Sequence, residues 1–324
     1  MDAARRTSAY KPALAWFAAI GTAWVFVLVT LGAFTTSIGA GMAFLDWPLS
    51  NGSLNPQGWL TEPDKFAEHS HRLSASIMSA VTIILAVWLW RTESRRWLRR
   101  LAWFAVGLVL AQAMVGGLRV LFDRMQVEMV DTSLGRLFAM LHACLAQLFI
   151  CTLIALATSC SRAWITGRTR GDTGALRQAG ITCCLLLFGQ LAIAAVMRHS
   201  FAGLAIPYFP HSTSTGGWLP EAWNFRVGIN FAHRVMAAIL TVALVWFALR
   251  LWTSRVASLA MRCGASLLVC LLGLQITLGA QIIWTSRNPF MTTGHVLVGA
   301  LILATTFWIT WLAHRDAIEQ EAAP

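Results

Sequence analysis

Residues 68–90 read EHSHRLSASIMSAVTIILAVWLW, and residues 229–252 read INFAHRVMAAILTVALVWFALRLW. Each segment carries a His-Arg pair in its polar opening turns (His71-Arg72, His233-Arg234) and then runs apolar to a closing tryptophan. A helix rising 1.5 Å per residue needs about 20 apolar residues to cross a hydrocarbon layer roughly 30 Å thick. Both segments meet that length, and their shared opening points to a duplicated membrane protein.

The whole chain agrees. Of its 324 residues, 57% are hydrophobic and 12% charged, against about 25% charged in an ordinary soluble domain. A soluble enzyme is excluded. Apolar runs between charge clusters predict eight spans near 14–38, 68–90, 101–120, 136–157, 179–198, 229–252, 263–284 and 293–313. The first has no small-residue cleavage site and reads as a retained helix, with no convincing presequence before it. The fold class is therefore all-α integral membrane.

The repeat extends beyond the two quoted segments. Aligning Ala40-Gly41-Met42-Ala43 with Ala202-Gly203-Leu204-Ala205 puts Pro48 on Pro210 and, thirty residues past the glycines, His71-Arg72 on His233-Arg234. Gln112 with Gly116 then answers Gln275 with Gly279, and His142 and His295 close the halves, the first after a loop ten residues longer. Odd helices match odd helices, which predicts two four-helix bundles, residues 1–160 and 161–324, related by an axis along the membrane normal.

A net charge of +11 suggests nucleic acid in a polar chain, but here the basic residues mark topology. With the N-terminus inside, the inner segments hold Arg5, Arg6, Lys11, Arg91, Arg95, Arg96, Arg99, Arg100, Arg162, Arg168, Arg170, Arg177, Arg250, Arg255, Arg262 and Arg315, 16 of the 25. Both termini are then cytoplasmic, in a multi-pass protein of the cell inner membrane. None of the seven cysteines falls in an outer loop, so no structural disulfide forms on the oxidising side, and no C-x-x-C-H is present to attach a heme covalently.

In this topology His71, His142, His233 and His295 lie one or two turns below the outer surface, on the helices that run inward. Each bundle thus offers two imidazoles at one depth, an arrangement that grips a planar heme from both sides. Zinc and copper sites more often use close spacings or add cysteines and carboxylates, whereas these partners are 71 and 62 residues apart. Arg72 and Arg234 suit heme propionates or outer headgroups. The Gln-x-x-x-Gly pairs read first as helix packing. His69, His199, His211 and His314 lack repeat partners and sit at membrane edges, where solvated roles are usual; His211 is retained as a candidate near a heme edge.

The run Glu68-His69-Ser70-His71-Arg72, the loop Gly41-Met42-Ala43-Phe44-Leu45-Asp46-Trp47-Pro48-Leu49-Ser50-Asn51-Gly52 and the repeated histidines together resemble the heme A synthase family, over nearly the whole chain. That resemblance implies an eight-helix oxidoreductase that converts the ring methyl of heme O to the formyl group of heme A, for cytochrome oxidase. It implies heme b as cofactor on His233 and His295, beside Arg234, and the substrate heme at His71 and His142, beside Arg72, with Glu68 as the catalytic carboxylate. Candidate partners are a heme O synthase, an electron-transfer protein, the lipid bilayer and a second copy of the chain; nucleic acid is not one. Many family members carry two cysteines in the first outer loop, where this chain has Phe44 and Ser50.

The residues divide the halves in the same way. Three positions before His71 stands Glu68, and three before His233 stands Asn230, so only the first half keeps an ionisable group on that helical face. An acid at a membrane boundary is a functional candidate, though near a helix start it also favours the dipole. A quinone-linked diheme carrier and a heme transporter or chaperone are the competing functions. The carrier has no need of unlike halves. A transporter calls for helix breaks near the midplane of matched spans, and none is evident.

Overall fold

The computed structural model describes residues 9–127, 132–167 and 171–321; Arg5, Arg6, Arg168 and Arg170 of the topology argument lie outside them. Among the described residues, eight helices are long and apolar enough to cross a membrane: α1 (Pro12–Ser37), α2 (Pro63–Thr92), α3 (Arg96–Leu121), α4 (Leu134–Cys160), α6 (Gly174–His199), α7 (Phe225–Thr253), α8 (Leu259–Trp284) and α9 (Pro289–Glu321). A short α5 (Arg162–Thr166) joins the halves, and a two-residue hairpin, β1 (Gln126–Val127) and β2 (Thr132–Ser133), precedes α4. The sequence reading anticipated neither.

Local chemistry explains the starts. Pro12 and Pro63 open α1 and α2, where a missing N–H costs nothing. The side chains of Ser133, Asn224 and Ser258 accept backbone N–H bonds to cap α4, α7 and α8. Several helices outrun their apolar runs: α2 begins at Pro63 instead of 68 and α9 extends to Glu321 instead of 313. Periodicity registers the hydrocarbon-spanning part, and the polar turns that follow into the headgroup layer carry no such signal.

In the first half α1, α2, α3 and α4 pack in a closed ring of neighbours, and α6, α7, α8 and α9 do the same in the second. Across the halves α1 meets α9, α6 meets α4, and α4 meets α9. The first two contacts are images of each other under the repeat, so the relating axis passes between α4 and α9. Those two are the most buried spans.

At the end of the bundle with short connections, charges lock the halves together. Arg95 is buried and pairs with Glu93 at 3.0 Å and with Glu319 at 3.2 Å, while donating to the Ser159 carbonyl. Burial alone would lower the Arg95 guanidinium, but the Glu93 and Glu319 carboxylates outweigh it and hold it above its ordinary value. Arg315 is equally buried, donating to the Trp164 and Gly167 carbonyls. Arg95 and Arg315, counted in the sequence among the basic residues of the inner segments, are internal ties. Charge patterning gives the side of the membrane, not whether a cation finds a carboxylate first.

Candidate functional site

The site forms at the opposite, long-loop end. His142 projects from α4 toward α3, where its Nδ1–H donates to the Gln112 carbonyl at 3.1 Å. His295 repeats this from α9 toward α8, donating to the Gln275 carbonyl at 3.1 Å. A carbonyl only accepts, so each neutral ring carries its proton on Nδ1 and its lone pair on Nε2, the tautomer an iron ligand needs; in His295 that lone pair takes the Gln275 side-chain N–H at 3.3 Å. The glycines of the same motif receive the rings: a Cβ on Gly116 would stand 3.0 Å from His142 Cε1, and one on Gly279 would stand 3.2 Å from His295 Cε1. The Gln-x-x-x-Gly motif is a holder for histidine, a role the packing reading did not include.

The other two histidines differ. His71 lies against Gly32 of α1, where a Cβ would come within 2.8 Å of its ring. His233 has Ala194 at the matching position and instead meets the Gln190 amide, 3.1 Å from its Nδ1. His233 and His295 face each other with ring centroids 6.4 Å apart, which leaves room for a metal bonded at about 2 Å to a nitrogen of each. His71 and His142 are within electrostatic range of each other.

Among the described residues, three buried amide oxygens around these rings make no hydrogen bond: those of Gln112, Gln190 and Gln275. Buried polar groups are ordinarily satisfied, so the cluster marks a site completed by something else. In the second half the two imidazoles face each other, and in the first a second pair lies within electrostatic range; two imidazoles per half are the donor type and number that a heme takes. Among the described residues no group of three or more histidines, cysteines or carboxylates could hold a bare metal ion.

Above each pair sits a loop, and both loops are anchored alike. Arg72 donates to the carbonyls of Phe44 at 3.2 Å, Asp46 at 2.8 Å and Leu49 at 2.5 Å. Arg234 donates to those of Ile206 at 2.8 Å, Tyr208 at 2.8 Å and His211 at 3.1 Å. Loop carbonyls thus take the guanidiniums that sequence alone offered to propionates or headgroups. Both loops have a cis peptide before the matched proline, at Trp47–Pro48 and Phe209–Pro210.

Glu68 lies five residues inside α2 and is 4% exposed, so it is no helix-terminal charge in water. It pairs with Arg72 at 2.5 Å and accepts the Phe44 N–H at 3.2 Å. His69, assigned from sequence to a solvated edge, is buried; its ring nitrogens reach Ser50 Oγ at 3.0 Å and the Leu54 carbonyl at 3.1 Å. Phe44 is fully buried against the His69 ring and under Arg72. The positions at which many family members have cysteines therefore hold the loop here by packing and a hydrogen bond. A polar residue on an apolar helix says little about which loop will cover it, and that is why His69 was missed.

An eight-span membrane protein with a loop-covered histidine pair in each half is the class that fold and site define. Residues 15–307 match the COX15-CtaA family, described as cytochrome oxidase assembly protein. The heme A synthase of Halalkalibacterium halodurans is 24% identical over 310 residues, 93% of this chain and 97% of that relative. Those of Geobacillus kaustophilus and Listeria monocytogenes are 25% and 26% identical, over 93% and 90% of this chain and 92% of each relative. The chain belongs to the heme A synthase family.

Proposed function

We propose that this protein oxidises the ring methyl of heme O to the formyl group of heme A by two successive hydroxylations with loss of water, for cytochrome oxidase biogenesis. The reading is carried by one contrast inside a repeated frame: both halves hold a histidine pair under an arginine-anchored loop, and only the first has a carboxylate, Glu68, one turn from its histidine. His233 and His295 would hold heme b, and His71 and His142 the substrate heme. Heme b, when bound, supplies one-electron exchange; the remaining oxidising equivalents and the oxygen come from reactants outside the chain.

The chain's own residues bind, orient and shield. Nδ1–H bonds to Gln112 and Gln275 fix the rings of His142 and His295. Arg72 and Arg234 act through the loops they hold, keeping water from the pair below. Glu68 shares a helical face with His71, so its carboxylate would lie one turn from a substrate held there and would take the proton released at the reacting carbon. Glu68→Gln keeps size and removes that capacity. In a strain whose only copy is this variant, heme O accumulates at the expense of heme A while the purified protein retains heme b; wild-type heme A would withdraw the role.

We assign both termini to the cytoplasmic side of the inner membrane and the long loops to the outside, from the bias of basic residues. Single cysteines at Asn51 and Thr92 should label from opposite sides. A heme O synthase and an electron-transfer protein are the partners this chemistry calls for.

A further inference from the structure

The cations around the first histidine pair have no counterparts at the matching positions of the repeat. In register, Arg119 falls on Ile282, Arg136 on Pro289, Arg198 on Thr36 and His199 on Ser37. Yet the fold gathers all four at one place, the long-loop edge of the first half.

Arg119 lies three residues past Gly116, about 4.5 Å further toward the long-loop end of α3, and its guanidinium rests against Gly41, donating to that carbonyl. Arg136, in the first turn of α4, stands with its guanidinium 5.0 Å over the Phe201 ring, just beyond α6. Arg198 crosses from α6 into the first half, donating to the Ala33 carbonyl at 2.8 Å and to Ser37 Oγ at 2.9 Å. His199 then lies in electrostatic range of Arg119, Arg136, Arg198 and His142 together. The carboxylates in range of Arg119 are Glu68 and Asp123, and Glu68 is already paired with Arg72. Among the described residues, Asp123 is thus the one carboxylate in range of Arg119 that is not already paired with Arg72. In the second half, Arg287 Cδ is 4.0 Å from where a Cβ on Gly203 would be, and the residues in register with Arg119 and Arg136, Ile282 and Pro289, carry no charge.

We propose that Arg119, Arg136 and His199 form a collar that receives the propionate carboxylates of the substrate porphyrin. This rests on the assignment of the substrate to His71 and His142. Planar guanidiniums match carboxylates bidentately, and such bonds strengthen away from water. The collar turns the propionate edge toward the long loops and the hydrophobic tail of the porphyrin toward the bilayer. The methyl that becomes the formyl shares its pyrrole with one propionate. A propionate held beside Arg119, which is in electrostatic range of Glu68, therefore brings that methyl to the carboxylate. Arg119 and Arg136 come from the first half and His199 from the second, so the second half completes the first half's site.

The test uses holoprotein in nanodiscs, with the second-half heme in place, titrated with iron protoporphyrin IX and with its dimethyl ester. The unmodified protein should bind the diacid at least about tenfold more tightly than the ester, and Arg119→Gln or Arg136→Gln should each remove about tenfold of that preference while leaving ester affinity unchanged. Arg136→Gln leaves the Arg119 tie to Gly41 in place, so a loss there is not loop release. Equal affinity for acid and ester, or a preference that survives both substitutions, overturns the collar. His71→Ala and His142→Ala separate the two claims. If they leave porphyrin binding intact, the substrate assignment fails and the collar with it; if they abolish binding while the acid preference is missing, only the collar fails.

Discussion

Glu68 and Asn230 occupy the same place in the two halves and do the same job with opposite polarity. Glu68 accepts, from the Phe44 N–H and from Arg72. Asn230 donates, to the Ala202 carbonyl at 2.8 Å and the Gly203 carbonyl at 3.1 Å, while its own oxygen accepts from Arg234 at 3.0 Å. An amide is sufficient to tie loop to helix. A buried carboxylate costs more desolvation than an amide, so its presence in one half is not explained by loop anchoring. The lesson is that a repeat separates shared need from particular need: what both halves keep serves both, and what one half adds is the candidate for chemistry there.

The largest effect that would break this comparison is at the second pair. His233→Ala or His295→Ala should abolish the low-spin heme b spectrum of the purified protein, since each removes one axial ligand, whereas His71→Ala should leave it unchanged. Full heme content in the second-half variants would mean that the halves are assigned the wrong way round.

Polarity reversal comes next. Asn230→Asp turns a donor into an acceptor facing two carbonyls, and should destabilise the second half by about 1–3 kcal/mol, read as a lower heme-release temperature. Glu68→Gln should be milder in stability, because Arg72 keeps its three loop carbonyls. Equal stability losses would show that the two positions are not opposite in polarity.

Gly32 and Ala194 offer a steric version. Gly32→Ala sets a methyl 2.8 Å from the His71 ring, a clash of the kind that costs about 1–3 kcal/mol, and should lower turnover while sparing heme b. Ala194→Gly, at the matched position, should leave both unaltered. Turnover unaffected by Gly32→Ala would mean that His71 has slack the geometry denies.

The smallest effect concerns the first loop. Burial raises the Asp46 carboxyl, but the Gly52 and Asn51 N–H groups, with Arg72, outweigh it and hold it below its ordinary value. A depressed folded-state value contributes stability above the unfolded carboxylate range and loses it as pH falls through the folded one. Protease nicking of the first loop should therefore rise as pH drops below about 4, and the second loop should lag behind. Equal nicking of both would show that Asp46 is not what holds the first.

The fold was legible because a bilayer leaves a chain few choices. Backbone polar groups must be satisfied within each span, so runs of apolar residues read directly as helices, and the His-Arg openings at 71 and 233 declared the duplication. The four histidines were legible as a set, since matched depth survives without coordinates.

What remained hidden was every contact between elements distant in the chain. Sequence could not show that Gln112 and Gln275 serve through their backbone carbonyls, that Arg72 and Arg234 hold loops, or that His69 is buried. Nor could it show Arg95 joined to Glu319, or His199 within electrostatic range of His142. Hydrophobic patterning states which residues must leave water and at what depth; which polar partner each then meets is a matter of helix rotation and loop closure, and those are settled only when all eight spans pack at once.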